Sequence, residues 1–465
     1  VIAPQVLALM EDLVAERRPI RLAAALIVGA ALRLLALQLP GTHDVVVWKI
    51  WSYVAAHEGV GRMYGTGGSP PERRFVEFHG AETVVDYPPL ALVELGVAGR
   101  VYRALNHGDY PDSQALIAAV KLLALVFDVG CAWLLWTAAR RWAGYDAGVA
   151  VLVAYWLNPA ILLDSAALGY LDLLYVFPLL AALVSAVSGL PVLAGLFAGL
   201  ALATKPQAIV TLPVVALAVW RHGARPWRSL MTALAGGAAG VAAAVAPVAI
   251  AGGLPNLALA LSRLGAHDML SGNACNLWWI VGYLLRAYYS AHDMGWWAAL
   301  TVPTKILQIS RVIDLGYPNP RVIGTALAGA VMLWGLWTAR RARGLGQMAL
   351  TGAFVVHAFA ALSAQVHENH LLAAVPLALL AAACLPRVRS LAMALSIVLA
   401  LNLNLFYGIS EDTGYALPRT WTVVDTTVLV SLVNLVLLAW HARVLAREAA
   451  AVSATAETAV VSPAH

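Results

Sequence analysis

The sequence predicts an all-α polytopic membrane protein with about 12 transmembrane helices and interfacial helices in its first large external loop. Three observations predict it. Only 12% of the 465 residues are charged and 61% are hydrophobic, where soluble domains carry about 25% charged residues. Apolar runs of roughly 20 residues, the length that crosses a bilayer, recur along the whole chain. Arginines cluster beside those runs, so the net charge of +5 reads as membrane topology rather than nucleic-acid binding.

The apolar runs fall at 22–40, 115–137, 147–163, 172–188, 190–203, 206–220, 229–252, 322–339, 346–364, 371–385, 390–407 and 424–441. A further stretch, 88–106, carries Glu94, Arg100 and Arg103, and the positive-inside rule decides its status. Arg17, Arg18 and Arg21 place the N-terminal segment 1–21 in the cytoplasm. Were 88–106 to cross, the arginines at 140–141, 221–228, 340–343, 387–389 and 443–447 would all fall outside. Lying flat or re-entering, it keeps every cluster inside. Twelve spans with both termini cytoplasmic follow, within a transmembrane domain 22–448. The run Leu22 to Leu39 is too long for a cleavable signal core and is expected to stay as an anchor. Residues 449–465 read as a disordered tail.

With that parity the non-cytoplasmic segments are 41–114, 164–171, the junction 203–206, 253–321, 365–370 and 408–423. Nearly all the unusual polar residues lie there. Within 41–114, the amphipathic stretch 44–57 and the stretch 88–106 are candidates to lie in the headgroup plane. No phosphate-binding loop or dinucleotide fingerprint is present. Internal repeats are not evident, which weighs against a transporter built from inverted halves. Cys131, Cys275 and Cys384 have no metal-ligand spacing, and no disulfide framework is expected.

Six constellations carry possible chemistry. His43-Asp44 follows the first span. A carboxylate there is costly unless used, and it can serve as a general base; the alternative is a helix cap before Val45-Val46-Val47-Trp48. Asp86-Tyr87-Pro88-Pro89-Leu90 holds an acid and a phenol outside the helix that the prolines start. Asn158-Pro159, Asp164-Ser165 and Gly169-Tyr170-Leu171-Asp172 close one span and open the next, with turn capping as the plain account.

Thr204-Lys205-Pro206-Gln207 wedges a lysine between two short spans, where it either snorkels or binds a phosphate. Only four lysines occur in the chain: Lys49, Lys121, Lys205 and Lys305. Asn273-Ala274-Cys275-Asn276-Leu277-Trp278-Trp279 reads first as an interfacial anchor. In Gln365-Val366-His367-Glu368-Asn369-His370 the two histidines share a helix face, so zinc has to be considered. The order is not H-E-x-x-H and no third ligand is evident; a phosphate or sugar contact is the expectation, with no metal and no cofactor.

Taken in order, these motifs resemble the GT-C membrane glycosyltransferases. Within that superfamily they are most similar to the lumenal dolichyl-phosphate-glucose-dependent glucosyltransferases of lipid-linked oligosaccharide assembly and their bacterial relatives. The likeness covers about positions 40–375 and includes Asn276-Leu277-Trp278. It implies an inverting, metal-independent transfer of a hexose, glucose or mannose, from a polyprenyl-phosphate carrier to a glycan, lipid or protein acceptor. By position, Asp44 matches the catalytic base, and Lys205 and His367 match positions near the donor phosphate. Asp86, Tyr87, Glu368, His370 and Gln207 would complete the donor site. Asp164, Tyr170, Asp172, Asn276, Trp278 and His43 would meet acceptor or sugar. Arg263, Lys305 and Arg311 are weaker candidates for the phosphate. The chain departs from the family at Leu168-Gly169-Tyr170-Leu171-Asp172, where His-Phe-Gln-Tyr-Asn is common, and at Asn369, where lysine often follows His-Glu.

Two other readings stay open: a transferase of the same class with a protein or lipid acceptor, and a lipid or sugar transporter. A transporter needs polar residues at mid-membrane depth; only Arg33, Lys121, Asp128 and His357 lie there, and Asp128 is expected to pair with Lys121. The Ala- and Arg-rich, Lys-poor composition points to a prokaryotic plasma (inner) membrane, with the site on its periplasmic or extracellular face.

Overall fold

The computed structural model describes residues 4–65, 74–263, 267–421 and 423–461. A long first helix, α1 (Pro4–Ala36), turns into α2 (His43–His57). A hairpin follows, β1 (Phe75–Phe78) against β2 (Ala81–Val84), antiparallel with Phe75 opposite Val84. Then come α3 (Pro89–Leu105), α4 (Gln114–Ala143), α5 (Tyr145–Trp156) and α6 (Pro159–Ile161), the last widening into a π-turn over Leu162–Leu168. The central bundle continues through α7 (Asp172–Val187), α8 (Pro191–Thr204), α9 (Leu212–His222) and α10 (Pro226–Ile250). The second external segment folds as α11 (Leu254–Ser262), α12 (Leu277–Met294), α13 (Trp296–Thr301) and α14 (Ile309–Asp314). The chain ends in α15 (Pro320–Thr338), α16 (Leu345–Leu362), α17 (Ala374–Cys384), α18 (Arg389–Tyr407) and α19 (Thr426–Val461).

The all-α polytopic class is therefore what the chain adopts, and every one of the twelve apolar runs lies in helix. Among the described residues seven helices are long and apolar enough to cross a membrane, or eight if α5 and the bent Pro159–Leu168 segment count as one. Asp172–Val187, Pro191–Thr204 and Glu368–Cys384 are shorter. The reason lies in the sequence: Pro159, Pro206 and the polar run 363–371 interrupt the helices and turn backbone into the bundle, which is tolerated where protein surrounds it. α19 runs on through most of the segment read as a tail, to Val461. Its Ala-rich end, 449–460, is composed of strong helix formers. Residues 462–465 lie outside the described residues.

Three buried networks lock the bundle. Arg33 and Asp128 form an ion pair at 2.5 Å with both side chains out of solvent, and Arg33 also donates to Trp156 O at 2.7 Å. Asp128 thus pairs with Arg33, not with Lys121 as expected. Lys121 instead donates to three carbonyls, Ala36 O, Leu39 O and Ala167 O, at 2.8–3.0 Å. A cation suits the free carbonyls at the end of α1. His357 joins His441 and Asn434 at 3.3 and 3.0 Å.

In α16, α17 and α18 the arginines at 340–343 and 387–389 sit at one end of the helices. The polar segments 363–371 and 407–411 sit at the other, together with the turns 168–172 and 204–207. The second hydrophobic cluster gathers at that polar end: Trp48, Trp51 and Val54 of α2 pack with Leu92 and Leu95 of α3, Phe78 and Tyr110.

Candidate active site

Asp44 is positioned by a close approach of three distant segments. Thr42 N donates to Leu168 O at 3.0 Å, and Trp48 Nε1 to Gly169 O at 3.2 Å. Ser410 Oγ accepts from Gly41 N at 3.1 Å and donates to Gly41 O at 3.0 Å. His43 N donates to Glu411 at 2.9 Å. Gly41 and Gly169 make this possible. Both have positive φ, +90° and +79°, and a Cβ on Gly41 would lie 2.8 Å from Leu168 O. The residue in the capping position of α2 is Thr42. Asp44 is therefore in the first turn rather than at the cap, and its carboxylate has no hydrogen-bond or ion-pair partner among the described residues. The helix N-terminus favours its negative charge.

Asp44 opens onto a cavity of about 740 Å³. His43, Trp48, Trp51, Asp86 and Tyr87 share its wall on one side. Tyr87 packs edge-on to Trp48 at 5.4 Å and lies 5.3 Å from Trp51, while its carbonyl accepts from Tyr64. Lys205, Gln207, Tyr170, His367, Glu368 and His370 line the other side. Lys205 Nζ bonds Asp172 Oδ1 at 2.7 Å, and Asn369 donates to Asp172 Oδ2 at 2.7 Å. One acid is thus shared by a cation and an amide, which leaves two ammonium donors for a ligand. The Tyr170 hydroxyl donates to Glu368. His370 meets Gln207 at 3.0 Å, and its Nδ1 accepts from His367 N at 3.3 Å. Those bonds occupy both nitrogens of His370. Among the described residues no group of three or more His, Cys, Asp or Glu is arranged to hold a metal ion.

Burial raises the Asp44 carboxyl above the usual range; the Lys205 charge pulls it down and Asp172 pushes it up. A higher pKa makes a carboxylate a stronger base, provided it is still ionised at working pH. In the loop 365–371, burial pushes Glu368 up to about 7, with the Tyr170 hydroxyl bond acting the other way. His367 is pushed down to about 4 by burial, with His267 and Lys205 adding to the shift. At that value its imidazole is neutral near pH 7. Lys205 is the one cationic side chain that lines the cavity among the described residues.

Ten of the sequence candidates meet here: His43, Asp44, Asp86, Tyr87, Tyr170, Lys205, Gln207, His367, Glu368 and His370. Asp172 does not line the cavity and reaches it through Lys205 and Asn369. Asp164 does not line the cavity; it is fully buried and neither carboxylate oxygen has a hydrogen-bond partner. Asn276 and Trp278 are structural. Asn276 caps α12 by accepting from Trp279 N at 3.1 Å, and Trp278 Nε1 bonds Leu362 O at 2.8 Å. Asn158 likewise caps α6, accepting from Ala160 N at 3.0 Å. Arg263 sits beside Asp86 in a separate small hollow, and Lys305 and Arg311 are exposed away from the cavity. The sequence reading missed His267, Asn273, Tyr407 and Glu411, all of which line it. An imidazole in the chemistry-rich loop 253–321 was the available signal for His267; a lone Tyr407 at a span end gave none.

Comparison with known proteins adds the following. Residues 81–253 match the family model of the GPI transamidase subunit PIG-U. No curated protein matches the chain. Among solved structures, the chain is similar to ArnT from Cupriavidus metallidurans bound to undecaprenyl phosphate. The likeness has 17% identity and a TM-score of 0.48, and covers 93% of this chain and 74% of that one. It is also similar to the Archaeoglobus fulgidus oligosaccharyltransferase tethered with an acceptor peptide, at 14% identity and a TM-score of 0.41, covering 94% of this chain. This chain spans just over half of that enzyme, 56% of its length. At these scores the chemistry is left to the chain's own residues.

Proposed function

We propose that the protein is an inverting GT-C glycosyltransferase. It moves a hexose from a polyprenyl-phosphate carrier to an acceptor hydroxyl on the non-cytoplasmic face of a plasma membrane. One observation carries the reading: a carboxylate without a partner, Asp44, shares one cavity with a lysine whose remaining donors are available, Lys205. In a single displacement Asp44 takes the acceptor hydroxyl proton while that oxygen attacks the anomeric carbon. The bond from that carbon to the phosphate oxygen breaks, and the lipid phosphate leaves with the electron pair. Lys205 and the neutral imidazole of His367 face the charge that develops there. Tyr87 and the tryptophans offer a surface for the sugar ring.

The decisive experiment compares transfer from synthetic polyprenyl-phosphate glucose and mannose by the purified wild type and Asp44→Asn. Loss of general-base help costs about 10²–10⁴-fold; turnover within a factor of three of wild type would sink the assignment.

The match to a transamidase subunit over residues 81–253 favours a second reading, in which the cavity holds a glycolipid for a partner enzyme. On that reading Asp44→Asn leaves activity in the partner complex intact, and the isolated chain transfers no sugar.

A further inference from the structure

Outside the Asp44 cavity a second cleft, of about 490 Å³, opens between the end of α2, the hairpin tip and the loop after α3. Tyr53 is at its centre, with ring centroids 4.2 Å from His57, 4.7 Å from Phe78 and 5.2 Å from Tyr110. Phe78 and Tyr110 are buried and hold this cluster rigid, and Tyr110 bonds Ser52 Oγ at 2.8 Å. The rest of the lining is polar: Glu77, His79 and Asp109, all exposed. Among the described residues no arginine or lysine lines it.

Two features of the hairpin carry a cost that the fold itself does not offset. Glu77 stands directly opposite Glu82, and like charges in that position destabilise a strand pair. His79 adopts φ +51°, a left-handed conformation that glycine or asparagine takes more readily. Both lie at the cleft or beside it.

We propose that this cleft is a carbohydrate-binding subsite, distinct from the Asp44 cavity, that takes a neutral oligosaccharide. Aromatic faces pack against the apolar faces of sugar rings, and carboxylates accept from sugar hydroxyls. The imidazoles of His57 and His79 add donors and acceptors of the kind that a polyhydroxylated ligand uses on every side. A phosphate carrier is disfavoured by two carboxylates with no cation. A ligand cation would gain from the carboxylates, but would leave the imidazole donors without a partner.

The cleft is coupled to the first cavity through shared elements. Thr83 and Val84 of the hairpin line that cavity, and Trp51 Nε1 ties α2 to Val84 O at 3.2 Å. Tyr53 and His57 follow Asp44 by nine and thirteen residues, roughly 14 and 20 Å along the helix. If the transfer proposed above is correct, on which this one step rests, the cleft holds the part of an acceptor glycan remote from its growing end.

The test is saturation-transfer NMR on the full chain in nanodiscs, with maltotriose, isomaltotriose and mannotriose as probes. Wild type and Asp44→Asn should bind at least one of them alike, whereas Glu77→Gln/Asp109→Asn, two exposed changes, should weaken it at least tenfold. Tyr53→Ala should abolish ring contacts to the sugar. The proposal is overturned if no trisaccharide binds, if the Glu77/Asp109 variant binds as wild type does, or if binding is lost in Asp44→Asn. Displacement of the sugar by equimolar tetramethylammonium overturns it in favour of a cation site. Transfer lost in Asp44→Asn while trisaccharide binding persists keeps this inference separate from the catalytic one.

Discussion

Lys205 and Asp172 meet at 2.7 Å with neither side chain more than 6% exposed. Between short helices this pair does two things: it neutralises an acid inside the bundle and aims a cation at the cavity. Removing one partner of a buried pair costs about 3–5 kcal/mol, whereas removing both costs far less. Lys205→Met and Asp172→Asn should each lower the thermal unfolding midpoint in detergent, and the double variant should recover most of the loss. Additive single effects would show that the pair contributes no coupling.

The pH dependence of transfer reports on the same pair. On the proposed mechanism Asp44 acts as a base only when ionised, so transfer should fall as pH drops through its raised pKa. Lys205 lowers that pKa and Asp172 raises it. The acid limb of kcat/KM should therefore move to higher pH in Lys205→Met and to lower pH in Asp172→Asn. His367, held near 4, adds no limb around 6.5, and His367→Gln should leave the shape of the profile unchanged.

Lys121 should prove structural. Its three charge-assisted bonds fasten the end of α1 to the turn beneath Asp44, and such bonds contribute about 1.5–3 kcal/mol each. Lys121→Met should destabilise the protein by about 3 kcal/mol or more in urea titration. Activity per folded molecule should fall too, because Ala167 adjoins the carbonyl that holds Thr42.

The seam between α8 and α10 gives a test independent of the site. A Cβ at Gly195 would sit 1.8 Å from Ala233 O, and one at Gly199 2.3 Å from Gly237 O. Backbones in such contact tolerate no side chain between them. Gly195→Ala should lower the unfolding midpoint clearly. Gly237→Ala, whose Cβ would stand 3.3 Å from its nearest neighbour, should lower it much less.

Much of the site was legible because polar residues stand out in an apolar chain. Asp44, Lys205 and the 365–370 run each had to be explained, and the explanation placed them in one cavity. Asn276 and Trp278 lie outside the cavity lining, and a capping asparagine and an anchoring indole have the same sequence appearance as ligand contacts. The partner of Asp128 was misassigned for a different reason. Lys121 is two turns away on the same helix, but Arg33 arrives from another, and sequence spacing carries no information on that approach. The hairpin 75–84 was missed because its strands are only four residues each and turn on His79-Gly80, a weaker signal than Asn-Gly.

The stitching of Gly41 to Ser410 and of His43 to Glu411 has a bearing on how the protein is made. The segment that bears Asp44 is synthesised before its clasp, since Gly41 precedes Ser410 by 369 residues. A partly translated chain therefore holds its carboxylate unclasped, with half of the cavity wall still to be built.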